Sequence, residues 1–243
     1  MNYSFLQCGE GALTVHLGDG IDPAINRRVT ALQGAIGSAG LRGITDLIPA
    51  YADLTVCYDC TVISAKALQR QLRRLLDSLS VAGQDRRRVF RLPVCYGGEY
   101  GPDLDFVCHH SGLSVQEVIA LHSAPDYLIY MLGFLPGFAY LGGLDPRLHT
   151  PRLDSPRTCI PAGSVGIGGA QTGVYPLASP GGWQLLGRTP VSVFDRQRQE
   201  PILYRAGDLV HFVPISPAEY EEIARAVAAG TYTVQVEEVP VCD

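Results

Sequence analysis

Glycine and proline decide most of what this chain can fold into. Of its 27 glycines and 17 prolines, 17 and 13 fall within residues 93–215, and the stretch LGFLPGFAYLGGL, Leu132 to Leu144, is the densest case. It sets Phe134, Phe138 and Tyr140 among Gly133, Pro136, Gly137, Gly142 and Gly143. Proline breaks a helix interior and glycine weakens both helix and strand. A long apolar region punctuated in this way is restricted to short strands joined by turns. The runs VFRLPVCY, SVGIGG, QTGVYPL, WQLLGRT, VSVFD, ILYRAG and LVHFVPI read as such strands, and many short strands argue a closed barrel or a sandwich. Two helices interrupt them. Ser114 with Glu117 and Ser216 with Glu219 form capping boxes, and Gly230 ends the second helix. A last strand, TYTVQVEEV, is expected to close the barrel.

The first 80 residues have a different texture, two copies of strand, strand, helix. YSFLQCG and ALTVHLG form a hairpin about Glu10 and Gly11. Asp22 and Pro23 then open a helix whose Ile25, Val29, Leu32 and Ile36 recur at helical spacing. ITDLIPAY and DLTVCYD form the second strand pair, and SAKALQRQLRRLLDSL forms the second helix, with Leu68, Leu72, Leu75 and Leu79 as its apolar stripe. Two helices over one face of a four-stranded antiparallel sheet is the expected packing. The polar segment VAGQDRRR at 81–88 reads as a linker with solvated arginines, which places an α+β domain at 1–84 and a mainly β domain at 85–243.

Charge and composition exclude several functions. A net charge of -5 offers no general attraction to nucleic acid or anionic lipid. No apolar run reaches the roughly 18 to 20 residues of a spanning helix, and MNYSFLQCGEG lacks a basic segment followed by an apolar one. A cytoplasmic location is expected. Seven scattered cysteines do not form a secreted disulfide framework, so reduced thiols are expected. The lone C-x-x-C at Cys57 to Cys60 reads as structural, and CHH at Cys108 to His110 cannot readily bring three ligands to one ion. No metal site is assigned. Lys66 is the sole lysine. It stands early in an amphipathic helix, so no phosphate-loop lysine follows the glycine-rich segments and no carrier lysine is expected.

Two short motifs fail on context. AGSVG at 162–166 approaches a nucleophile elbow, but glycines and a strand follow Ser164 where a helix is required. GIGGAQTG has Gln171 at the third glycine position of a dinucleotide fingerprint and again no helix. What remains is polar chemistry among glycine turns. PVCYGGEYGPDL supplies Tyr96 and Glu99; PRTCIPAGSVGIGGAQTGVYP supplies Arg157, Gln171, Thr172 and Tyr175; SPGGWQLLGRTP supplies Trp183 and Arg188. Three such segments on one barrel suggest a shared pocket.

LGFLPGFAYLGGLD, the long segment from Pro156 to Pro190 and PVCYGGEYGPDL resemble signature segments of the allophanate hydrolase subunit 1 family, which includes the B subunits of bacterial 5-oxoprolinase and Kip inhibitors of a histidine kinase. The likeness runs over nearly the whole chain. It implies a DCoH-like or ferredoxin-like α+β domain followed by a cyclophilin-like barrel of carboxyltransferase type. It also implies a heteromeric enzyme component, inactive alone, that acts with the A and C subunits to open 5-oxo-L-proline to L-glutamate while ATP, with magnesium, is hydrolysed to ADP and phosphate. No biotin would be attached to this chain. A kinase inhibitor is the alternative, and a component of a biotin-dependent urea or allophanate carboxyltransferase a weaker one. Partners would be the C and A subunits, not nucleic acid or membrane, and self-association of the isolated chain stays open.

Within that frame, residue chemistry assigns Glu99 and His122 to proton transfer and Arg157, Arg188, Gln171 and Thr172 to substrate or phosphate binding. Tyr96, Phe134, Phe138, Tyr140, Tyr175 and Trp183 are assigned to the pocket wall. Each has a plainer reading: His122 as a core histidine, Trp183 as core, and the arginines as internal ion pairs with Asp103, Asp145 or Asp195.

Overall fold

The computed structural model describes residues 3–79 and 86–240. The chain divides into two compact units, residues 1–85 and 86–243. In the first, β1 (Ser4–Cys8) and β2 (Ala12–His16) form the hairpin about Glu10 and Gly11. Helix α1 (Pro23–Ala39) starts at Asp22, whose carboxylate accepts from the amides of Ala24 at 2.6 Å and Ile25 at 3.3 Å. It ends at Gly40 in the left-handed conformation that glycine reaches without strain. Then come β3 (Ile44–Pro49), β4 (Asp53–Tyr58) and α2 (Ala65–Asp77).

The strands pair antiparallel in the order β1-β2-β4-β3. Leu13, Val15, Leu54 and Val56 from the sheet meet Val29, Leu32, Ile36, Leu68, Leu72 and Leu76 from the helices in one core. Each of these leucines contributes about 1.5–3 kcal/mol on burial. Leu76 joins Leu68 and Leu72 at full burial, while Leu75 and Leu79 pack at the margin. Lys66 is exposed.

Residues 81–85 of the expected linker lie outside the described residues. Its arginines are not simply solvated: Arg86, Arg87 and Arg88 begin a long strand, and Arg88 grips both Asp208 oxygens, at 3.0 and 2.6 Å.

The second unit is a closed barrel. Its elements are β5 (Arg86–Tyr96), α3 (Leu104–Ser111), α4 (Val115–Ser123), β6 (Tyr127–Leu132), β7 (Ala139–Gly142), β8 (Arg157–Ile160), β9 (Ser164–Gly168) and β10 (Gln171–Val174). They continue with β11 (Ser179–Gly181), β12 (Gln184–Arg188), β13 (Leu209–Ile215), α5 (Pro217–Ala228) and β14 (Gln235–Pro240). Seven strands run in the order β12-β9-β10-β7-β6-β13-β5, and pairing of β5 with β12 closes the ring. The pairs are antiparallel except β13 with β5. Inside, Leu92, Val94, Ile129, Leu141, Val165, Ile167, Leu186 and Phe212 form the core. Both capping boxes are formed.

Four sequence expectations are corrected. The last strand does not close the barrel, because β14 only flanks the outer part of β5. VSVFD and ILYRAG are not strands; Asp195 and Pro201 bracket a turn, leaving one isolated bridge from Phe194 to Ile202. LGFLPGFAYLGGL, left out of the runs read as strands, is a hairpin, the end of β6 turning into β7. A third helix, α3, precedes the two expected. Six cysteines among the described residues are free thiols.

Candidate functional site

The short edge strands β8 and β11 pair with each other and carry Ile160 and Gly181 beside a second hydrophobic cluster, separate from the barrel core: Phe138, Ile160, Tyr175, Trp183 and Leu185. The glycines explain it. A Cβ on Gly168 of β9 would stand 2.3 Å from Trp183 Nε1, and one on Gly173 of β10 would stand 3.3 Å from the far side of the same indole. A Cβ on Gly181 would meet the Tyr175 hydroxyl at 2.6 Å. The bare backbone of GIGGAQTG is therefore a floor on which the indole lies, not a phosphate cradle.

Phe138 is the hub. Its ring packs edge-to-face on Phe134 (5.5 Å), Tyr140 (5.2 Å), Tyr175 (5.5 Å) and Trp183 (5.5 Å), the geometry that aromatic quadrupoles favour. The β6–β7 turn holds it there: the Gly133 amide donates to the Phe138 carbonyl, and the Tyr204 hydroxyl donates to that of Gly137 at 3.0 Å. Gly137 has φ +83, and a Cβ there would come within 2.9 Å of Phe194. Phe134, at the tip, is 63% exposed and is the only non-glycine with positive φ (62°) among the described residues. A large aromatic held exposed in a sparsely populated backbone region points to function more than to packing.

These rings line a cavity of about 330 Å³ together with Arg152, Pro156, Pro180, Gly181 and Gly182. Arg152 is the only charged group in the lining. Its guanidinium lies 6.0 Å from the Trp183 ring centroid and donates to Gln171 Oε1 at 3.4 Å. Burial raises the Tyr175 hydroxyl above its ordinary range, and the nearby Arg152 charge partly offsets this.

The structure brings together five of the six expected wall residues: Phe134, Phe138, Tyr140, Tyr175 and Trp183. The sixth, Tyr96, lies elsewhere, its hydroxyl 2.8 Å from His122 Nδ1. His122 and Thr172 are both 0% exposed. The Thr172 hydroxyl donates to the Gly166 carbonyl at 3.0 Å, so it accepts from His122 Nε2–H at 2.7 Å, and Nδ1 accepts from Tyr96. Stacked on Phe212 at 4.8 Å and wholly desolvated, the imidazole has its pKa pulled down to about 3. It is a neutral core histidine that ties α4 to β5 and β10, not a proton shuttle, and Thr172 is spent in the same chain.

Arg157 is also internal. It donates to Asp103 at 2.6 Å, whose second oxygen accepts from the Leu185 amide at 2.6 Å. Arg188 stands at the far end of β12, opposite Cys95 and Ser164 and beside Tyr220. Glu99 belongs to that same end, exposed on the turn after β5 and felt by Cys95 and Tyr100. Gln171 pairs with Gly168 at the opposite end of β9, four strand residues, roughly 13 Å, from Ser164. Glu99, Gln171 and Arg188 therefore do not share one cavity. None of the polar residues assigned from sequence lines the aromatic pocket; Gln171 reaches it through Arg152, and Arg157 borders it by donating to the Trp183 carbonyl at 3.3 Å. Sequence reasoning missed Arg152, whose sole local signal is an arginine beside the long glycine segment.

A closed barrel with a small α+β unit before it and an aromatic pocket on its outer face places this chain among carboxyltransferase-type proteins. It belongs to the carboxyltransferase domain family, subdomains C and D, which it matches over residues 3–204. It is 42% identical over 230 residues to the 5-oxoprolinase B subunit of Bacillus subtilis, covering 90% of this chain and 96% of that protein. It is 45% identical over 207 residues to the 5-oxoprolinase B subunit of Escherichia coli O157:H7, covering 85% and 93%. The structure of urea carboxylase from Kluyveromyces lactis superposes with a TM-score of 0.82 at 23% identity, over 98% of this chain and 24% of that one; this likeness is one of fold. No helix among the described residues is long and apolar enough to cross a membrane.

Proposed function

We propose that this chain is the B subunit of an ATP-dependent 5-oxoprolinase, opening 5-oxo-L-proline to L-glutamate in the cytoplasm together with the A and C subunits and inactive without them. The observation that carries this reading is the near full-length identity to 5-oxoprolinase B subunits. The same reading takes residues 1–84 as a DCoH-like or ferredoxin-like domain and 85–243 as a cyclophilin-like one. The pocket supports it chemically. A ring amide in an unstrained lactam resists water, so the reaction needs a site that orients a small ring and keeps bulk water from it. Five aromatic side chains around one cavity supply that environment.

Magnesium and ATP do not fit the pocket. Its lining has one cation and no carboxylate, and no three His, Cys, Asp or Glu side chains converge among the described residues. In this reading ATP is handled by the assembled complex, and no step through it is assigned to these residues. The test is subunit omission. The three chains are co-expressed, glutamate and ADP are followed from 5-oxoproline, and each chain is left out in turn. The proposal expects turnover to vanish without this chain; turnover that ignores its absence rejects the reading.

A further inference from the structure

We infer that the aromatic pocket selects a small flat ring that bears a carboxylate, and that Arg152 is the residue that reads the charge. The choice of ring rests on the function proposed above; the charge selection rests on the pocket itself. The other arginines that grip carboxylates in this unit are already committed: Arg86 to Glu238, Arg88 to Asp208, Arg91 to Glu237, Arg147 to Asp145, Arg157 to Asp103 and Arg205 to Glu200. Arg152 has no carboxylate within ion-pair distance among the described residues. It is held instead by a side-chain amide and by the face of an indole, contacts that leave guanidinium N–H groups unspent. Nothing else in the lining is charged, although the whole chain carries -5. A planar fork of donors over a ring-lined cavity suits a carboxylate whose attached ring lies against the aromatics. A cavity of about 330 Å³ is at the small end for ligand sites. Gln171 acts here as a positioning residue for Arg152.

Trp183 is the only tryptophan, so tryptophan fluorescence of the full chain reports this pocket and nothing else. The pocket is built wholly from this chain, and binding needs no partner. The probes are 5-oxoproline and 2-pyrrolidinone, the same ring without its carboxylate. The expected result is a saturable change in Trp183 emission with 5-oxoproline, about tenfold weaker binding of 2-pyrrolidinone, and loss of the difference in Arg152→Gln, which weakens 5-oxoproline far more than 2-pyrrolidinone. Arg152→Lys keeps the charge without the fork and should retain part of the preference, which covers the case in which Arg152→Gln fails to fold. Rising salt should weaken 5-oxoproline and leave 2-pyrrolidinone alone. The inference is overturned by the absence of saturable binding, by equal affinities for the two rings, or by an Arg152 variant without charge that still discriminates. Subunit omission reads a different quantity: a chain required for turnover whose pocket ignores 5-oxoproline would sink this inference and leave the proposed function standing.

Discussion

Replacing Gly168 with alanine tests the glycine floor directly. The backbone there is strand, without a positive φ, so alanine meets no conformational penalty and only space is at issue. The new methyl would lie 2.3 Å from Trp183 Nε1 and 2.4 Å from Cδ1, whereas ordinary contact begins at 3.4 Å. The indole must retreat by at least about 1 Å. It has little room, because Phe138 and Tyr175 pack on it at 5.5 and 5.9 Å. Overpacking of this kind costs about 1–3 kcal/mol. Gly168→Ala should lower the unfolding free energy in urea by that amount and shift Trp183 emission as the ring moves toward solvent. Trp183→Phe in the same chain removes the clash, so the double variant should be less destabilised than the sum of the two single changes. An unchanged stability together with unchanged emission would refute the reasoning, since it would mean the indole does not rest on β9.

Two further outcomes follow from the buried polar groups. Asp103→Ala strands the Arg157 guanidinium and the Leu185 amide together and should cost about 2–3 kcal/mol, discounted because Arg157 keeps some solvent; denaturation of the variant checks it, and a loss below about 0.5 kcal/mol would mark the pair as a surface contact. His122 is depressed from 6.5 to about 3 by burial, so the unfolded chain takes up a proton that the folded one refuses. Its stabilising contribution is full above pH 6.5 and is lost as pH falls toward the folded value, amounting to about 2 kcal/mol by pH 5. Urea titrations at pH 7 and pH 5 should show that loss in the wild type and a smaller one in His122→Gln; equal losses would contradict the burial argument.

What was legible in the sequence was what short-range chemistry determines. Asp22 and Pro23, the two capping boxes and the leucine stripe of α2 act within one or two turns, and each element lies where its residues imply. The aromatic wall was legible too, because five large rings among glycines have few other uses. Ring closure was not. Whether β12 or β14 completes the barrel depends on which strand finds β5 across some ninety or more residues of chain, and both have strand character. Helix α3 was hidden because it lacks a side-chain cap: the Asp103 carboxylate turns to Leu185 and Arg157 instead. His122 and Thr172 looked like site residues because polar types carry no label of depth, and only the tertiary chain Tyr96–His122–Thr172 reveals that both are used internally. Arg152 was overlooked for the converse reason, its partners Gln171 and Trp183 being remote in sequence.

The most direct measurement is 5-oxoproline turnover by the co-expressed three-subunit complex carrying Phe138→Ser, compared with wild type at equal amounts of folded, assembled complex. Phe138 touches all four other rings, so the account predicts turnover lower by at least about tenfold, a barrier increase of about 1.4 kcal/mol or more. Wild-type turnover in that complex would contradict it and detach the aromatic pocket from the reaction.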